Sequence, residues 1–242
     1  MARAAVPPVI RAAAIGAYLA TLLAVDTQVG YGGQLALGVA TWAVLGALLV
    51  RISAERRVQT LGVVAFATVG EVTGSLVWGV YSYRLHNLPL FIPPAHGLVF
   101  LAGLSLAAAL RERWIVWAAA AGAAGWGVAG LTVLPRLDVA GAVGVPVLCA
   151  FLLRSRARGT YAAVFLVVAA LELYGTAIGT WRWAATLPGL DVPDGNPPSG
   201  VASGYIWFDV MALLVASRLR RRRREPEPRH LLLGLAEGDA AN

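Results

Sequence analysis

Three carboxylates stand inside long apolar runs of this sequence: Glu71, Glu172 and Asp209. An acid at the centre of a membrane helix costs on the order of 2.5–3.5 kcal/mol on insertion scales, so it faces a protein interior and is functional by default. The chemistry open to such groups is proton transfer. Two carboxylates that share a low-dielectric site cannot both ionise cheaply, so one can serve as an acid and the other as a base. The structural alternative is that each Glu is protonated and hydrogen-bonded to a neighbouring helix.

The two glutamates open matched stretches. Glu71-Val72-Thr73-Gly74-Ser75-Leu76-Val77-Trp78-Gly79-Val80-Tyr81-Ser82-Tyr83 aligns with Glu172-Leu173-Tyr174-Gly175-Thr176-Ala177-Ile178-Gly179-Thr180-Trp181-Arg182-Trp183 once one residue is skipped at Trp78. Both stretches run on to a double proline, Pro93-Pro94-Ala95-His96-Gly97 in the first and Pro197-Pro198-Ser199-Gly200 in the second. Upstream, Leu48-Leu49-Val50-Arg51 matches Phe151-Leu152-Leu153-Arg154. Four matched features in one order indicate an internal duplication. Asp209 has no acidic counterpart in the first copy.

Helical spacing places Glu71, Gly74, Ser75, Trp78 and Tyr81 or Ser82 on one face. The matching face is Glu172, Gly175, Thr176 and Gly179, then Arg182 or Trp183. A carboxylate beneath a groove of small residues and capped by aromatics describes a pocket. The small residues also suit close helix–helix approach, and the third and seventh helices are expected to meet at the repeat axis. The candidate substrate-binding residues are Trp78, Tyr81, Tyr83, Arg84, His96, Trp181, Trp183 and Asn196. Tyr and Trp at this level also form ordinary interfacial belts, and Arg84 and Arg182 suit either an anion or snorkelling to headgroups. His96 is expected at the outer rim of its helix. No metal is expected, because the histidines and acids lack ligand spacing.

These residues need a membrane to hold them. Hydrophobic residues make up 58% of the 242, charged residues only 14%, and mean hydropathy is +0.69. A soluble domain carries nearly twice that share of charge. Runs long enough to span lie near 9–25, 34–50, 58–82, 95–110, 114–134, 138–153, 159–183 and 199–217. With the N-terminus inside, 17 of the 20 arginines fall on the cytoplasmic side, and only Arg84, Arg136 and Arg182 lie outward. The expected fold is an all-α integral membrane protein of eight transmembrane helices in two parallel four-helix repeats, 1–112 and 113–218. A two-fold axis along the membrane normal would relate them. Residues 219–242, with Arg220 to Arg224, read as a disordered basic cytoplasmic tail lying on anionic lipid rather than on nucleic acid. The location implied is the cell inner (plasma) membrane, multi-pass, with both termini cytoplasmic. Oligomeric state is not legible.

No Walker loop, dinucleotide glycine fingerprint, G-x-S-x-G or cysteine cluster occurs, and Cys149 is the single cysteine. An ATP-driven pump, a flavoprotein and a serine hydrolase are disfavoured, and no cofactor is expected. The run Glu71-x-x-Gly74 … Gly79-x-Tyr81-x-Tyr83, with prolines following, resembles a motif of bacterial carotenoid hydratases. Those are multi-span membrane lyases of carotenoid biosynthesis that add water across a terminal double bond. The match covers about 25 of the 242 residues, and Val77-Trp78 stands where the family pattern has Pro-Phe before the glycine. In size and in its intramembrane Glu and Asp the chain is also similar to small membrane-embedded terpene cyclases. Either resemblance implies Glu71 as proton donor to an alkene.

The sequence therefore points to a membrane enzyme acting on an isoprenoid or other lipid by carboxylate acid–base catalysis, hydrating or cyclising an alkene. The rivals are a proton- or cation-coupled transporter with midplane carboxylates at the repeat interface, and a non-catalytic lipid-binding or assembly subunit. The arginine distribution is directly testable. Single cysteines placed in loops 84–94 and 184–198, in a Cys149→Ser background, should react with an impermeant maleimide added to intact cells. A cysteine at 154–158 should react only after the membrane is opened.

Overall fold

The computed structural model describes residues 6–202, 210–214 and 218. The described residues are mainly helical, with one short two-stranded ribbon. The elements run α1 (Pro8–Asp26), α2 (Tyr31–Leu49), α3 (Ala54–Glu71), a π-helical turn (Val72–Trp78), β1 (Tyr81–Tyr83), α4 (Ile92–Ala109), α5 (Glu112–Thr132), α6 (Val139–Arg154), α7 (Arg158–Ile178) and β2 (Trp181–Trp183). Among the described residues six helices are long and apolar enough to cross a membrane, counting α3 with its π-helical turn as one of 25 residues. The 16-residue α6 is apolar but shorter. Residues 201–202 and 210–214 are helical, while residues 203–209 and 215–217 of the expected eighth span, Asp209 included, lie outside the described residues. So do residues 219–242.

Local chemistry sets the helix starts. Ser53 caps α3 by accepting the Arg56 backbone N–H on Oγ at 3.3 Å, with Glu55 in the first turn. Asp138 caps α6 through Gly141 N–H at 3.0 Å. Prolines begin α1 and α4, where a missing N–H costs nothing.

The hub is α4. It packs against α1, α2, α3 and α7, and its residues from His96 to Gly103 are buried without a break. Gly103 makes this possible, since a Cβ there would meet Val164 of α7 at 2.5 Å. The expectation that α3 and α7 meet along the repeat axis is not met as close helix packing: α4 packs closely against both, and the two helices line one cavity.

The ends of the third and seventh spans also differ from expectation. Neither helix continues to 82 or 183. Gly79 and Gly179 stop them in the left-handed region, at φ +78° and +83°, where a glycine carries no Cβ penalty. After each stop the chain turns into a three-residue strand, and β1 and β2 pair antiparallel. Tyr81 therefore does not extend a helical face.

Two details of this region follow the sequence match closely. The caps are related: Thr180 N–H reaches Gly175 O and Val80 N–H reaches Gly74 O, both at 2.9 Å. The Val80–Gly74 bond spans one residue more than the Thr180–Gly175 bond. The π-helical turn absorbs that residue, so the skip at Trp78 is a widened helical turn. The strand register pairs Tyr81 with Trp183, Ser82 with Arg182 and Tyr83 with Trp181. Matched residues thus exchange across the Ser82–Arg182 pair, the register that a two-fold axis through that pair generates.

Because a Cβ at either stop would meet open space, substitution there tests backbone conformation alone. Gly79→Ala and Gly179→Ala should each destabilise the fold by about 1–2 kcal/mol, the cost of an L-residue in the left-handed region. Thermal unfolding in detergent should show a drop of a few degrees for each.

Candidate active site

Alternation along the paired strands sends Tyr81, Tyr83, Trp181 and Trp183 to one face and Ser82 and Arg182 to the other. Four aromatic rings thereby roof a cavity of about 610 Å³ whose walls come from α1, α3, α4 and α7. The rings contact one another. Tyr81 and Trp183 lie 4.6 Å apart between centroids, Tyr81 and Tyr83 5.8 Å, and Tyr83 and Trp181 6.1 Å.

Both glutamates line this cavity and both are buried. Glu71 Oε2 accepts the Tyr81 and Tyr83 hydroxyls at 2.5 and 2.6 Å, and Oε1 lies 3.0 Å from His96 Nε2. Glu172 Oε2 accepts the Trp181 indole N–H at 2.9 Å. The Trp183 indole N–H is buried and lies towards the same carboxylate without a well-formed hydrogen bond. The halves hence place aromatic side chains at matched positions with different polar tips.

The glycine after each glutamate has a specific task. A Cβ on Gly175 would overlap the Trp181 ring, and one on Gly74 would meet the Tyr81 ring at 3.0 Å. The Glu-x-x-Gly pattern thus clears space for the ring whose polar tip folds back onto the Glu. It does not serve helix–helix approach, as the sequence alone suggested. Ser75 is occupied locally, donating its hydroxyl to Glu71 O at 2.7 Å.

The other candidates divide. Trp78 lines the cavity and donates its indole N–H to Pro188 O at 3.0 Å, tying the first half to the second half's loop. His96 is not a rim residue. It is 5% exposed and pairs with Glu71, because the Pro93–Pro94 start aims the first turn of α4 inward. Its counterpart in the second half is Gly200, which also lines the cavity. Arg84 does not line it. It is held by Asp26 O and by Val29 O at 2.5 Å, with Asp26 Oδ2 3.9 Å from Nε. Asn196 accepts the Trp183 backbone N–H at 2.9 Å, so it positions the strand. Asp209 lies outside the described residues. Among the described residues no cluster of three or more His, Cys, Asp or Glu could hold a metal ion.

Sequence reasoning passed over the polar nodes that hold the roof in place. Asp138 accepts the backbone N–H groups of Gly195 at 3.0 Å and Ser199 at 2.7 Å besides capping α6. Arg136 donates to Trp183 O at 3.0 Å and to Ala184 O. Asp26 accepts the Gln34 side-chain amide at 2.8 Å, and Gln34 in turn accepts from Asn87 at 2.7 Å. A single Asp at a helix end gives no hint in sequence that it will collect loop N–H groups from 57 and 61 residues away. No protein-family model matches this chain, and no curated protein or solved structure is significantly similar to it.

Burial and the neighbouring Asp138 charge push the Asp194 carboxyl in this loop up to about 6, against a smaller opposing pull from Arg136. A carboxyl whose folded value lies above its unfolded value takes up protons on folding. Its contribution is full at low pH and is lost as pH rises from about 4 through about 6. Thermal stability of the wild type relative to Asp194→Asn should therefore decline across that interval and level off above it. The spacing of the glycines gives a second test. Gly175→Ala should disturb Trp181 fluorescence and activity more than Gly74→Ala disturbs activity, since only the former forces overlap with a ring.

Proposed function

We propose that this chain is an integral membrane enzyme that hydrates or cyclises an alkene in an isoprenoid or similar lipid by carboxylate acid–base chemistry. The observation that carries the reading is one mostly apolar cavity holding two buried glutamates in unlike hydrogen-bond settings. Apolar walls suit a hydrocarbon substrate. Two acid groups on opposite helices suit delivery of a proton at one side and its removal at the other.

The settings assign the roles. Glu71 is filled by donors, two phenols on one oxygen and an imidazole on the other. It and His96 form the basic side. Glu172 takes the Trp181 indole N–H on Oε2, and its other polar neighbour is the Trp183 indole, so indoles alone face it where phenols and an imidazole face Glu71. In our reading the Glu172 carboxyl carries the proton to the terminal alkene carbon. The π electrons form the new C–H bond, and a tertiary carbocation remains beneath the aromatic roof, where ring faces stabilise it. For hydration, water adds to the cation and gives up its extra proton to the His96–Glu71 pair. For cyclisation, a second double bond attacks and the same pair removes a neighbouring C–H proton. The assignment makes Glu172 the acid, the reverse of the role that resemblance to carotenoid hydratases implies for Glu71. In this reading the halves are two parallel repeats, and the ribbon register supports it.

A carrier would also place carboxylates between repeats. The scarcity of polar groups on the cavity wall favours the enzyme, because an ion needs a hydrated or liganded path to each face. Lipid extracts from cells with and without the protein, compared by mass spectrometry, decide between them. An enzyme should leave a product heavier than its precursor by one water, or an isomer of equal mass. Glu71→Gln and Glu172→Gln should each abolish that product while the protein still inserts. Retained product in both variants, or unchanged lipid with proton-coupled flux in vesicles, would overturn the reading.

A further inference from the structure

The cavity is selective by charge as well as by polarity. Its described lining contains two glutamates but neither Lys nor Arg. Arg182, within the roof, lies on the face of the ribbon away from the cavity, and the arginines beside the roof are committed to backbone carbonyls, Arg84 to those of residues 26 and 29 and Arg136 to those of residues 183 and 184. The sequence between 203 and 217 contains no basic residue either. His96, the one basic side chain of the described lining, is already paired with Glu71 at 3.0 Å, so an anionic headgroup brought into this space would lose its water without gaining a free cationic partner.

A cation meets the opposite environment. Tyr81, Tyr83, Trp181 and Trp183 form a contiguous patch on the cavity side of the ribbon. Aromatic faces beside a carboxylate are the arrangement that recognises quaternary ammonium groups. A volume of about 610 Å³ falls within the range of about 300–1,000 Å³ that encloses a drug-sized molecule. It therefore takes one end of a long lipid rather than the whole.

We propose that the cavity is a binding site for a lipophilic monocation, an alkyl chain ending in a tertiary or quaternary ammonium group, seated with the charge between the aromatic ribbon and the two glutamates. As a mimic of a cationic reaction intermediate this rests on the enzymatic reading above. As a binding site it stands on the lining alone. Natural substrates of the site consequently present an uncharged end that becomes positive during reaction, and prenyl diphosphates are excluded.

The test uses the full-length protein in a non-ionic detergent and three probes of matched chain length. These are dodecyltrimethylammonium, its neutral isostere ending in a tert-butyl group, and dodecyl sulfate, all held below micelle-forming concentration. Quenching of tryptophan fluorescence and thermal shift report binding. The ammonium probe should bind at least tenfold more tightly than the neutral isostere, and dodecyl sulfate should not compete with it. With the ammonium probe bound Glu172 is ionised, as it is after giving up its proton, so Glu172→Gln should lose most of that preference while keeping affinity for the neutral probe, which shows that the variant is folded. Equal affinity for the ammonium and neutral probes, or tighter binding of the sulfate, overturns the proposal. Failure of the enzymatic reading appears differently. Ammonium selectivity without any change in cellular lipids leaves the cation site standing and removes the catalysis. Lipid turnover without ammonium selectivity does the reverse.

Discussion

Everything around the cavity follows from the cost of burying a carboxylate in apolar surroundings. An isolated charge there is prohibitive, so donors must be brought to it. Glu71 gets two phenols and an imidazole, Glu172 gets the Trp181 indole with that of Trp183 beside it, and none of these donors is a close sequence neighbour on the same helix. The donors arrive because each helix stops one or two turns beyond its glutamate and the chain doubles back. The left-handed glycines, the short strands and the glycine three residues after each Glu are parts of one device. Remove the need to solvate the glutamates and none of these parts has a purpose.

The device is repeated but its two copies are not equivalent. One extra residue before Gly79 widens the first helix into a π-helical turn. Tyrosines stand where the second copy has tryptophans, and His96 stands where it has Gly200. A phenol can both donate and accept, an imidazole can carry a proton either way, but an indole N–H can only donate. The first half is accordingly equipped to exchange protons, the second to hold a carboxyl group with little interference. In the proposed reading, a few differing polar tips on one repeated pattern make an acid side and a base side.

Stability is supplied elsewhere. Helix α4 holds the bundle together by packing against four neighbours, using Gly97 and Gly103 to bring Leu45, Val64 and Val164 close. The outer loops are pinned by Asp138, Arg136 and Arg84, which bond to backbone groups. Tyr83 and Trp181 of the roof also belong to the buried core, with Tyr81 and Trp183 packed against it, so the cavity's shape is tied to the packing of the bundle.

By itself the sequence determined the helical character, the apolar runs, the matched stretches and the glutamates that head them. Those features depend on composition and spacing along the chain, which burial in an apolar medium constrains strongly. The sequence also marked the skip at Trp78, though not its form. Only the tertiary structure decided that the aromatics after each glycine leave the helix, pair as strands and return to the glutamates. Helical periodicity continued through 82 and 183 because tyrosines and tryptophans fit either period, and the two glycines that break it are also common in membrane helices. His96 could not be assigned to Glu71 from 25 residues away, since that pairing depends on how α4 packs against α3. The same holds for Asp138 and its loop partners: contacts across the fold are set by three-dimensional packing, which leaves no periodic trace in the order of residues.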